Sequence, residues 1–217
     1  MPAFLSRNSP HFPDVETATE DGLLAFGGNL ESGTLLEAYK KGIFPWYNPD
    51  EPICWYCPDP RFVLFPGHIK VSKSMKAIIK KNEFTFSVDK DFTSVMRNCR
   101  LTKRKIGPGT WITDEIENAY YALYERGYAH SAEAWHNGEL VGGLYGVLLG
   151  KVFFGESMFA NKSNASKFAF IKYVEELERN RICLIDCQVY TPHLESLGAE
   201  FIRRKKFTEL LKKLIDQ

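Results

Sequence analysis

Three consecutive strand patterns between residues 130 and 159 restrict the possible folds of this chain more than any other feature. They are the segments HSAEAWHN, ELVGGLYGVLLG and KVFFGESMF, joined at Asn137-Gly138 and Gly150-Lys151. Such dipeptides suit tight hairpin turns because asparagine and glycine tolerate positive φ angles. The sequence therefore predicts an antiparallel meander of three strands.

Patterns typical of helices precede and follow the meander. VSKSMKAIIKKN predicts a helix capped by Ser72, and ITDEIENAYYALYERGY predicts one capped by Thr113 and ended by Gly127. SNASKFAFIKYVEELERN predicts a long amphipathic helix, followed by a buried strand at ICLIDCQVY and a short helix at PHLESLGAEFI. We therefore predict an α+β fold, with one domain over residues 61–217.

Residues 1–60 are predicted to form a small N-terminal α/β module. One helix is expected, starting at Ser32 or Thr34 and ending at Gly42. Five prolines then fall between residues 42 and 62. Because proline fixes φ and lacks a backbone N–H, this aromatic-rich stretch is predicted to be a loop region without a long helix or a central strand.

The charges of the chain are segregated along the sequence. The formal net charge is only +1, but residues 1–60, 61–106, 107–200 and 201–217 carry −6, +9, −6 and +4. The two basic segments would form one cationic surface for a nucleic acid if they folded side by side, and would otherwise be solvated helix faces. The composition, with 44% hydrophobic and 25% charged residues, excludes a disordered or collagen-like chain.

The sequence also bears on location and on metal binding. It has no apolar run of about 18 residues and no secretion signal in MPAFLSRNSPHFPDVET, so we expect a cytoplasmic protein. Cys54 and Cys57 form a CxxC followed by Pro-Asp-Pro, while Cys183 and Cys187 share one face of a strand pattern, where core packing or a ligand pair would fit. We expect structural thiols and no metal site.

Three polar residues interrupt apolar strand patterns. Glu156 lies in VFFGESMF, and Asp186 and Gln188 lie in LIDCQV. Burying an unpartnered carboxylate costs on the order of several kcal/mol or forces its protonation. Each group is therefore tied to a structural partner or belongs to a functional site, and their occurrence on neighbouring strands favours a site.

Two tryptophans lie in loops. Trp46 and Trp111 stand beside Gly and Pro in FPWYNP and GPGTWIT. A loop tryptophan near a basic segment can stack on a nucleobase, worth roughly 1 to 3 kcal/mol per base, or can fill hydrophobic space under the loop. The sequence leaves both interpretations open.

Eight segments occur in an order that points to one family. They are GGNLESGTLLEAYKKGIFPW, WYCPDPR, GTWIT, HSAEAW, ELVGGLYGV, FFGESMF, NASK and LIDCQV. From about Leu5 to Phe207 the chain thus resembles the leucyl/phenylalanyl-tRNA-protein transferases. The resemblance implies transfer of leucine or phenylalanine from aminoacyl-tRNA to the α-amine of a protein beginning with Arg or Lys, which marks that protein for N-end rule degradation. It also implies that the larger domain is similar to the N-acyltransferase (GNAT) fold.

The resemblance assigns candidate site residues. Catalytic roles fall on Gln188, Asp186 and Glu156, with Asp186 orienting Gln188 and Glu156 binding the aminoacyl-adenosine end. The 3′ adenosine of the tRNA would contact Trp46, Trp111 and Tyr120. The aminoacyl pocket would consist of Leu144, Met158, Phe170, Tyr173, Leu177 and Ile185. The basic residues expected to hold the tRNA backbone are Lys73, Lys76, Lys80, Lys103, Arg104 and Lys105. Because an aminoacyl ester is already activated, we expect an enzyme that needs no cofactor and acts mainly by positioning two substrates. We also expect a monomer.

Two other functions fit part of the sequence. LESLGAEF resembles the end of acyl-CoA-dependent N-acyltransferases, but ESMFANKSNASK lacks the glycine-rich turn that binds a pyrophosphate in such enzymes. A non-catalytic RNA-binding module would explain the basic segments and the tryptophans. It would not explain Glu156, Asp186 and Gln188.

Overall fold

The structure is a computed structural model that describes residues 1–102 and 111–215. Its strands are β1 (Ala3–Leu5), β2 (Leu23–Gly27), β3 (Phe44–Pro45), β4 (Cys54–Tyr56), β5 (Arg61–Leu64), β6 (Thr85–Val88), β7 (Ala129–His136), β8 (Glu139–Leu149), β9 (Val152–Ala160), β10 (Leu184–Gln188) and β11 (Glu200–Ile202). Its helices are α1 (Ser32–Lys40), α2 (Lys73–Lys80), α3 (Phe92–Leu101), α4 (Asp114–Glu125), α5 (Ala165–Arg179), α6 (Pro192–Ser196) and α7 (Arg204–Ile215). None of these helices is both long enough and apolar enough to span a bilayer.

The predicted meander forms three neighbouring strands of a seven-stranded sheet with the order β11-β5-β10-β9-β8-β7-β6. β7, β8 and β9 pair antiparallel, which confirms the meander. Asn137 and Gly138 adopt φ angles of 52° and 83° in the first hairpin turn. β9 and β10 pair in parallel, whereas the other neighbours in this sheet pair antiparallel.

The seven-stranded sheet separates two hydrophobic clusters. Successive side chains of a strand point to opposite faces, so Phe153 and Phe154 of β9 belong to different clusters. The Phe153 cluster includes Met75 of α2 and the apolar face of α5. The Phe154 cluster includes Phe207 of α7 and buried residues of α1, α3 and α4. Helices thus cover both faces of a mixed sheet, and the predicted α+β class is confirmed.

The N-terminal module contains more β structure than predicted. A four-stranded sheet with the order β1-β2-β4-β3 lies beside α1. The prediction that no central strand occurs among the prolines was wrong, because β4 fits between Pro52 and Pro58 and pairs on both sides. Proline removes a ladder hydrogen bond only at its own position. The strands of this sheet end before residue 57 and those of the larger sheet start at Arg61, while the domain limit at residue 60 stays a prediction.

The C-terminal region also differs from the prediction. PHLESLGAEFI forms α6 and then β11, which pairs antiparallel with β5 at the edge of the sheet. The last basic segment forms α7, which buries Phe207 and Leu211. No element was predicted for this stretch, although apolar residues recur in it at helical spacing, at Phe207, Leu210, Leu211, Leu214 and Ile215.

The described parts of the two basic segments meet only in part. Arg61 and α3 of the first segment lie on the same side of the larger sheet as Phe207 of α7, whereas α2 lies on the other side. α2 packs through Met75 on one face of the seven-stranded sheet, and α7 packs through Phe207 on the other. Arg61 and Arg204, which belong to these segments, are buried and paired with carboxylates. The exposed lysines of α2 therefore do not share a surface with those of α7.

Candidate functional site

The two parallel strands that carry the candidate polar residues separate where these residues lie. β9 and β10 pair as far as Phe154 and Asp186. Just beyond, the pairing of β9 with β8 shifts register at Glu156, and the pairing of β10 with β5 shifts before Gln188. Such bulges change the direction of a side chain. Gln188 also has a left-handed φ of 61°, and both side chains border the gap between the strands.

Glu156 accepts hydrogen bonds from three side chains on three different elements. Tyr39 of α1 donates to Oε1 over 2.8 Å, and Tyr120 of α4 donates to Oε2 over 2.9 Å. Gln188 Nε2 donates to Oε1 over 2.9 Å. The hydroxyl oxygens of Tyr39 and Tyr120 also lie within hydrogen-bonding distance of each other. The carboxylate is therefore the centre of a network that joins the N-terminal module to the larger sheet.

Burial has the largest effect on the pKa values of the groups in this network. It raises the pKa of Glu156 to about 7, although the hydrogen bonds from Tyr39 and Tyr120 favour the ionised form. The negative charge of Asp186 raises that pKa further. Burial also raises the pKa of Tyr39 and the pKa of Tyr120, so both tyrosines keep their protons at neutral pH. Glu156 is consequently the group in this network that exchanges a proton near pH 7.

Asp186 is held by an arginine that sequence reasoning did not single out. Arg61 Nε and Nη2 donate to the two oxygens of Asp186 over 2.8 and 2.7 Å, and both residues are fully buried. The guanidinium lies between the rings of Phe44 and Phe207, with centroid distances of 4.8 and 4.6 Å. Asp186 Oδ1 also accepts the backbone N–H of Gln188 over 2.9 Å. Asp186 thus orients the backbone of Gln188, whereas Glu156 bonds to its side chain.

An apolar cavity of about 320 Å³ opens between β9 and β10. Four of the six residues predicted for the aminoacyl pocket line it, namely Leu144, Met158, Phe170 and Ile185. Tyr173 and Leu177 do not line it and instead belong to the hydrophobic core. The ring of Tyr173 packs edge-on against that of Phe153, with 5.0 Å between the ring centroids. Glu156 and Gln188 form the polar end of the cavity.

His193 also borders the apolar cavity. Its Nε2 is buried and has no hydrogen-bond partner among residues 1–102 and 111–215. Burial lowers the pKa of His193, so its imidazole is neutral at pH 7. No pattern in the sequence indicates this placement, because His193 stands in a short polar helix.

A second, smaller cavity of about 90 Å³ lies between the two loop tryptophans. Trp46, which is 46% exposed, and Trp111, which is 9% exposed, line it together with Phe44 and Pro45. Glu156 and Gln188 form its floor and so belong to both cavities. Tyr120, also predicted to contact adenosine, is fully buried behind Glu156 and borders neither cavity.

The predicted tRNA-backbone residues fall into two groups. Lys73, Lys76 and Lys80 are exposed on α2. Lys103, Arg104 and Lys105 lie outside the described residues.

The cysteines and the other possible ligands form no metal centre in the described part of the chain. Cys54, Cys57, Cys99 and Cys187 are buried, Cys183 is exposed, and all five are free thiols. Over residues 1–102 and 111–215, no group of three His, Cys, Asp or Glu side chains could hold a metal ion.

The two cavities share a polar wall of Glu156 and Gln188, an arrangement that suits a group-transfer enzyme. The sequence profile of leucyl/phenylalanyl-tRNA protein transferases matches residues 63–212, and the profile of their N-terminal domain matches residues 28–59. The chain belongs to this family of aminoacyltransferases.

Curated relatives carry the same family name. The leucyl/phenylalanyl-tRNA–protein transferase of Syntrophus aciditrophicus is 55% identical over 202 residues, which are 93% of this chain and 84% of that protein. That of Nitrosospira multiformis is 52% identical over 207 residues, which are 94% of this chain and 89% of that protein.

Two similar solved structures share little sequence identity with this chain. L-PGS from Bacillus licheniformis is 14% identical with a TM-score of 0.42, over 87% of this chain and 64% of that chain. A GCN5-related N-acetyltransferase-like protein from Streptococcus suis is 14% identical with a TM-score of 0.38, over 79% of this chain and 64% of that chain. The family assignment depends on the sequence relatives alone.

Proposed function

We propose that this protein transfers leucine or phenylalanine from aminoacyl-tRNA to the α-amine of acceptor proteins that begin with Arg or Lys. The product is a new peptide bond, which marks the acceptor for N-end rule degradation in the cytoplasm. The observation that carries the proposal is the common wall of Glu156 and Gln188 between an apolar and an aromatic cavity. An aminoacyl-adenosine has the same layout, with an apolar side chain and a flat base on either side of its ester.

The apolar cavity suits the side chain of the transferred amino acid. Leu144, Met158, Phe170 and Ile185 give it hydrophobic walls that reward burial of an aliphatic or aromatic group. A charged side chain would lose its hydration there without gaining a partner among these four residues. This supports leucine and phenylalanine as substrates.

The aromatic cavity suits the terminal adenosine. Trp46 and Trp111 face it from two loops, and stacking of a base on aromatic side chains is worth roughly 1 to 3 kcal/mol. Tyr120 is buried behind Glu156, so we assign to it the positioning of that carboxylate rather than adenosine contact.

The polar wall suits the reacting groups. Gln188 Nε2 uses one hydrogen for Glu156, which leaves its second hydrogen for the developing oxyanion and its carbonyl oxygen for the incoming amine. Donors aimed at an oxyanion are worth about 3 to 4 kcal/mol. The negative charge of Glu156 attracts the cationic N-terminus of the acceptor. Because the ester is already activated, these groups need only to position the ester and the incoming amine, and no cofactor is needed for activation.

The lysines of α2 suit the acceptor stem of the tRNA. Lys73, Lys76 and Lys80 are exposed on one helix, and Lys103, Arg104 and Lys105 follow in the same basic segment of the sequence. We also propose a monomer as the active form.

One assay tests the proposal directly. The protein is mixed with leucyl-tRNA that carries radiolabelled leucine and with a peptide that begins with Arg. We expect label in the peptide, and no label in the same peptide when its α-amine is acetylated or its first residue is Asp. Absence of label from the Arg peptide, together with acetylation of it by acetyl-CoA, would establish an acyl-CoA enzyme instead. Binding of tRNA without any transfer would indicate an RNA-binding module.

A further inference from the structure

When Glu156 is ionised, the three oxygen–oxygen contacts that join it, Tyr39 and Tyr120 have only two protons to share. Tyr39 and Tyr120 each have one hydroxyl proton, and each donates it to one oxygen of Glu156. No proton then remains for the contact between the two hydroxyl oxygens, which nonetheless lie within hydrogen-bonding distance. One additional proton on Oε2 supplies the missing bond. Oε2 then donates to Tyr120, Tyr120 donates to Tyr39, and Tyr39 donates to Oε1.

The position of Glu156 makes this extra proton relevant to the reaction. Glu156 borders both cavities, so it faces the point where an ester held between them would meet an incoming amine. The ionisable or polar groups near it are Tyr39 of α1, Tyr120 of α4, Tyr145 of β8, Arg61 of β5, and Asp186 and Gln188 of β10. Arg61 is already paired with Asp186, which leaves Glu156 without a cation of its own among the described residues.

Resting on the function proposed above, we propose that Glu156 takes the proton that the attacking α-amine releases, and that Tyr39 and Tyr120 position its carboxyl group by closing a ring of three hydrogen bonds. The neutral amine attacks the ester carbonyl carbon, a C–N bond forms, and the carbonyl electron pair moves to oxygen. The nitrogen passes its surplus proton to Oε2. The carbonyl then re-forms, the bond to the ribose oxygen breaks, and that oxygen takes the proton from Glu156. The carboxylate is regenerated without any further reagent.

The other polar groups of the site are less suited to accept the proton of the amine. Both oxygens of Asp186 are occupied by Arg61 in a fully buried pair. The amide of Gln188 is not a useful base. His193 is neutral but borders only the apolar cavity. Glu156 is the acid whose pKa burial raises to about 7, and a base is most efficient when its pKa lies near the working pH.

The test is the pH dependence of kcat with an acceptor that does not itself titrate. An Arg-initiated peptide whose α-amine is replaced by an aminooxy group has lost its proton by about pH 6 and still attacks esters, so the profile is recorded from about pH 6 upwards. With saturating leucyl-tRNA, we expect the wild-type kcat to rise about tenfold per pH unit at low pH and to level off above about pH 7. Glu156→Gln keeps the shape and the ring of hydrogen bonds but cannot take a proton. Its kcat should fall by about 10²- to 10⁴-fold and lose this rise.

The two tyrosines are tested by a double variant and a matched control. Tyr39→Phe/Tyr120→Phe removes two of the three side-chain donors to the carboxylate and leaves Gln188. Because the two lost hydrogen bonds favour the ionised form, the midpoint of the rise should move to higher pH. Tyr124→Phe lies one turn along α4 and loses only a hydroxyl that contacts the Asp89 carbonyl, so its profile should match the wild type. Each Tyr→Phe variant keeps the buried ring, and circular dichroism checks folding.

The outcomes separate this inference from the proposed function. Transfer by the wild type combined with an unchanged pH profile of Glu156→Gln overturns the inference alone. An unchanged midpoint of the pH-dependent rise in kcat, measured with a folded double variant, would mean that the tyrosines do not position the carboxyl group. Absence of transfer by the wild type overturns the proposed function itself.

Discussion

At the scale of single residues, the backbone of Gln188 explains how one amide can serve two cavities. Its φ of 61° is unusual for a residue other than glycine, and such strain persists only where the surroundings fix it. The bond from its backbone N–H to Asp186 and the bond from its side chain to Glu156 provide that restraint. The side chain is therefore already in place before a substrate binds.

Gln188→Ala removes the proposed oxyanion donor from the common wall and leaves the other walls of the two cavities unchanged. We expect kcat to fall by about 10²- to 10³-fold, with little change in the affinity for leucyl-tRNA. Single-turnover transfer and a binding titration measure the two quantities. Cys183→Ala, an exposed position just before the same strand, serves as the control and should behave as wild type. A kcat of Gln188→Ala equal to that of wild type would remove this side chain from the mechanism.

Glu156 should make the protein less stable as the pH rises. Its pKa lies near 7 in the folded protein and near 4.5 as the ordinary value, so the folded state binds the proton more tightly. The contribution of Glu156 to the free energy of unfolding is therefore fully present below about pH 4.5. It is lost as the pH rises through 7 and amounts to at most about 3 kcal/mol.

Glu156→Gln should not show this loss. The free energy of unfolding of the variant, relative to wild type, should increase by up to about 3 kcal/mol between about pH 4.5 and about pH 8. Urea unfolding at both pH values measures it. A difference that does not depend on pH would mean that Glu156 titrates normally.

Residue-level sequence reasoning found the groups that break an apolar pattern and missed their partners. Glu156, Asp186 and Gln188 stand out because polar side chains are rare in buried strands. Arg61 is distant in the sequence from Asp186, and Tyr39 occupies an ordinary apolar position of α1. Contacts between distant segments leave no local pattern, so only the folded chain reveals them.

At the scale of elements, two adjacent bulges create the site. Gly146 of β8 faces the bulge at Glu156, and a Cβ atom there would lie 2.1 Å from the Phe154 carbonyl oxygen. The site therefore needs a glycine on a neighbouring strand that carries no catalytic group. Helices and long strands were predictable because their periodicity extends over many residues. The short strands of the N-terminal sheet were not, because two or three residues show no period.

The exposed face of α2 should determine the salt dependence of tRNA binding. Lys73→Glu/Lys76→Glu/Lys80→Glu should weaken binding and reduce the slope of log affinity against log salt, by roughly 0.7 to 0.9 for each phosphate that the variant no longer neutralises. The matched control is Lys205→Glu/Lys206→Glu/Lys212→Glu on α7, which lies on the opposite face of the sheet. Equal slopes for wild type and the α2 variant would place the tRNA elsewhere.

At the scale of the whole molecule, the Arg61–Asp186 pair joins three parts of the chain. Phe44 comes from the N-terminal module, Phe207 from the last helix, and Asp186 from the central parallel strand. Gly42 permits the close approach of α7, because a Cβ there would lie 2.7 Å from the Phe207 ring. The polar network of the site therefore depends on contacts far from either cavity.

Arg61→Met leaves Asp186 buried without its partner. Removing one member of a buried ion pair costs about 3 to 5 kcal/mol, and chemical unfolding should show a loss of this size. Arg61→Met/Asp186→Leu replaces the pair by apolar groups and should recover most of the stability. It should not recover transfer, because the Gln188 N–H then lacks its acceptor. Recovery of activity in the double variant would mean that the pair serves folding only.

The far ends of the two cavities are independent of each other, although their common wall is not. Phe170 and Leu144 border only the apolar cavity, and Trp46 and Pro45 border only the aromatic one. Widening the apolar end to admit a bulkier artificial amino acid should therefore leave recognition of the nucleotide unchanged. Glu156 and Gln188, by contrast, border both cavities. Substitutions in the apolar cavity, whether engineered or naturally selected, can thus change which amino acid is accepted without changing the residues proposed to bind the nucleotide.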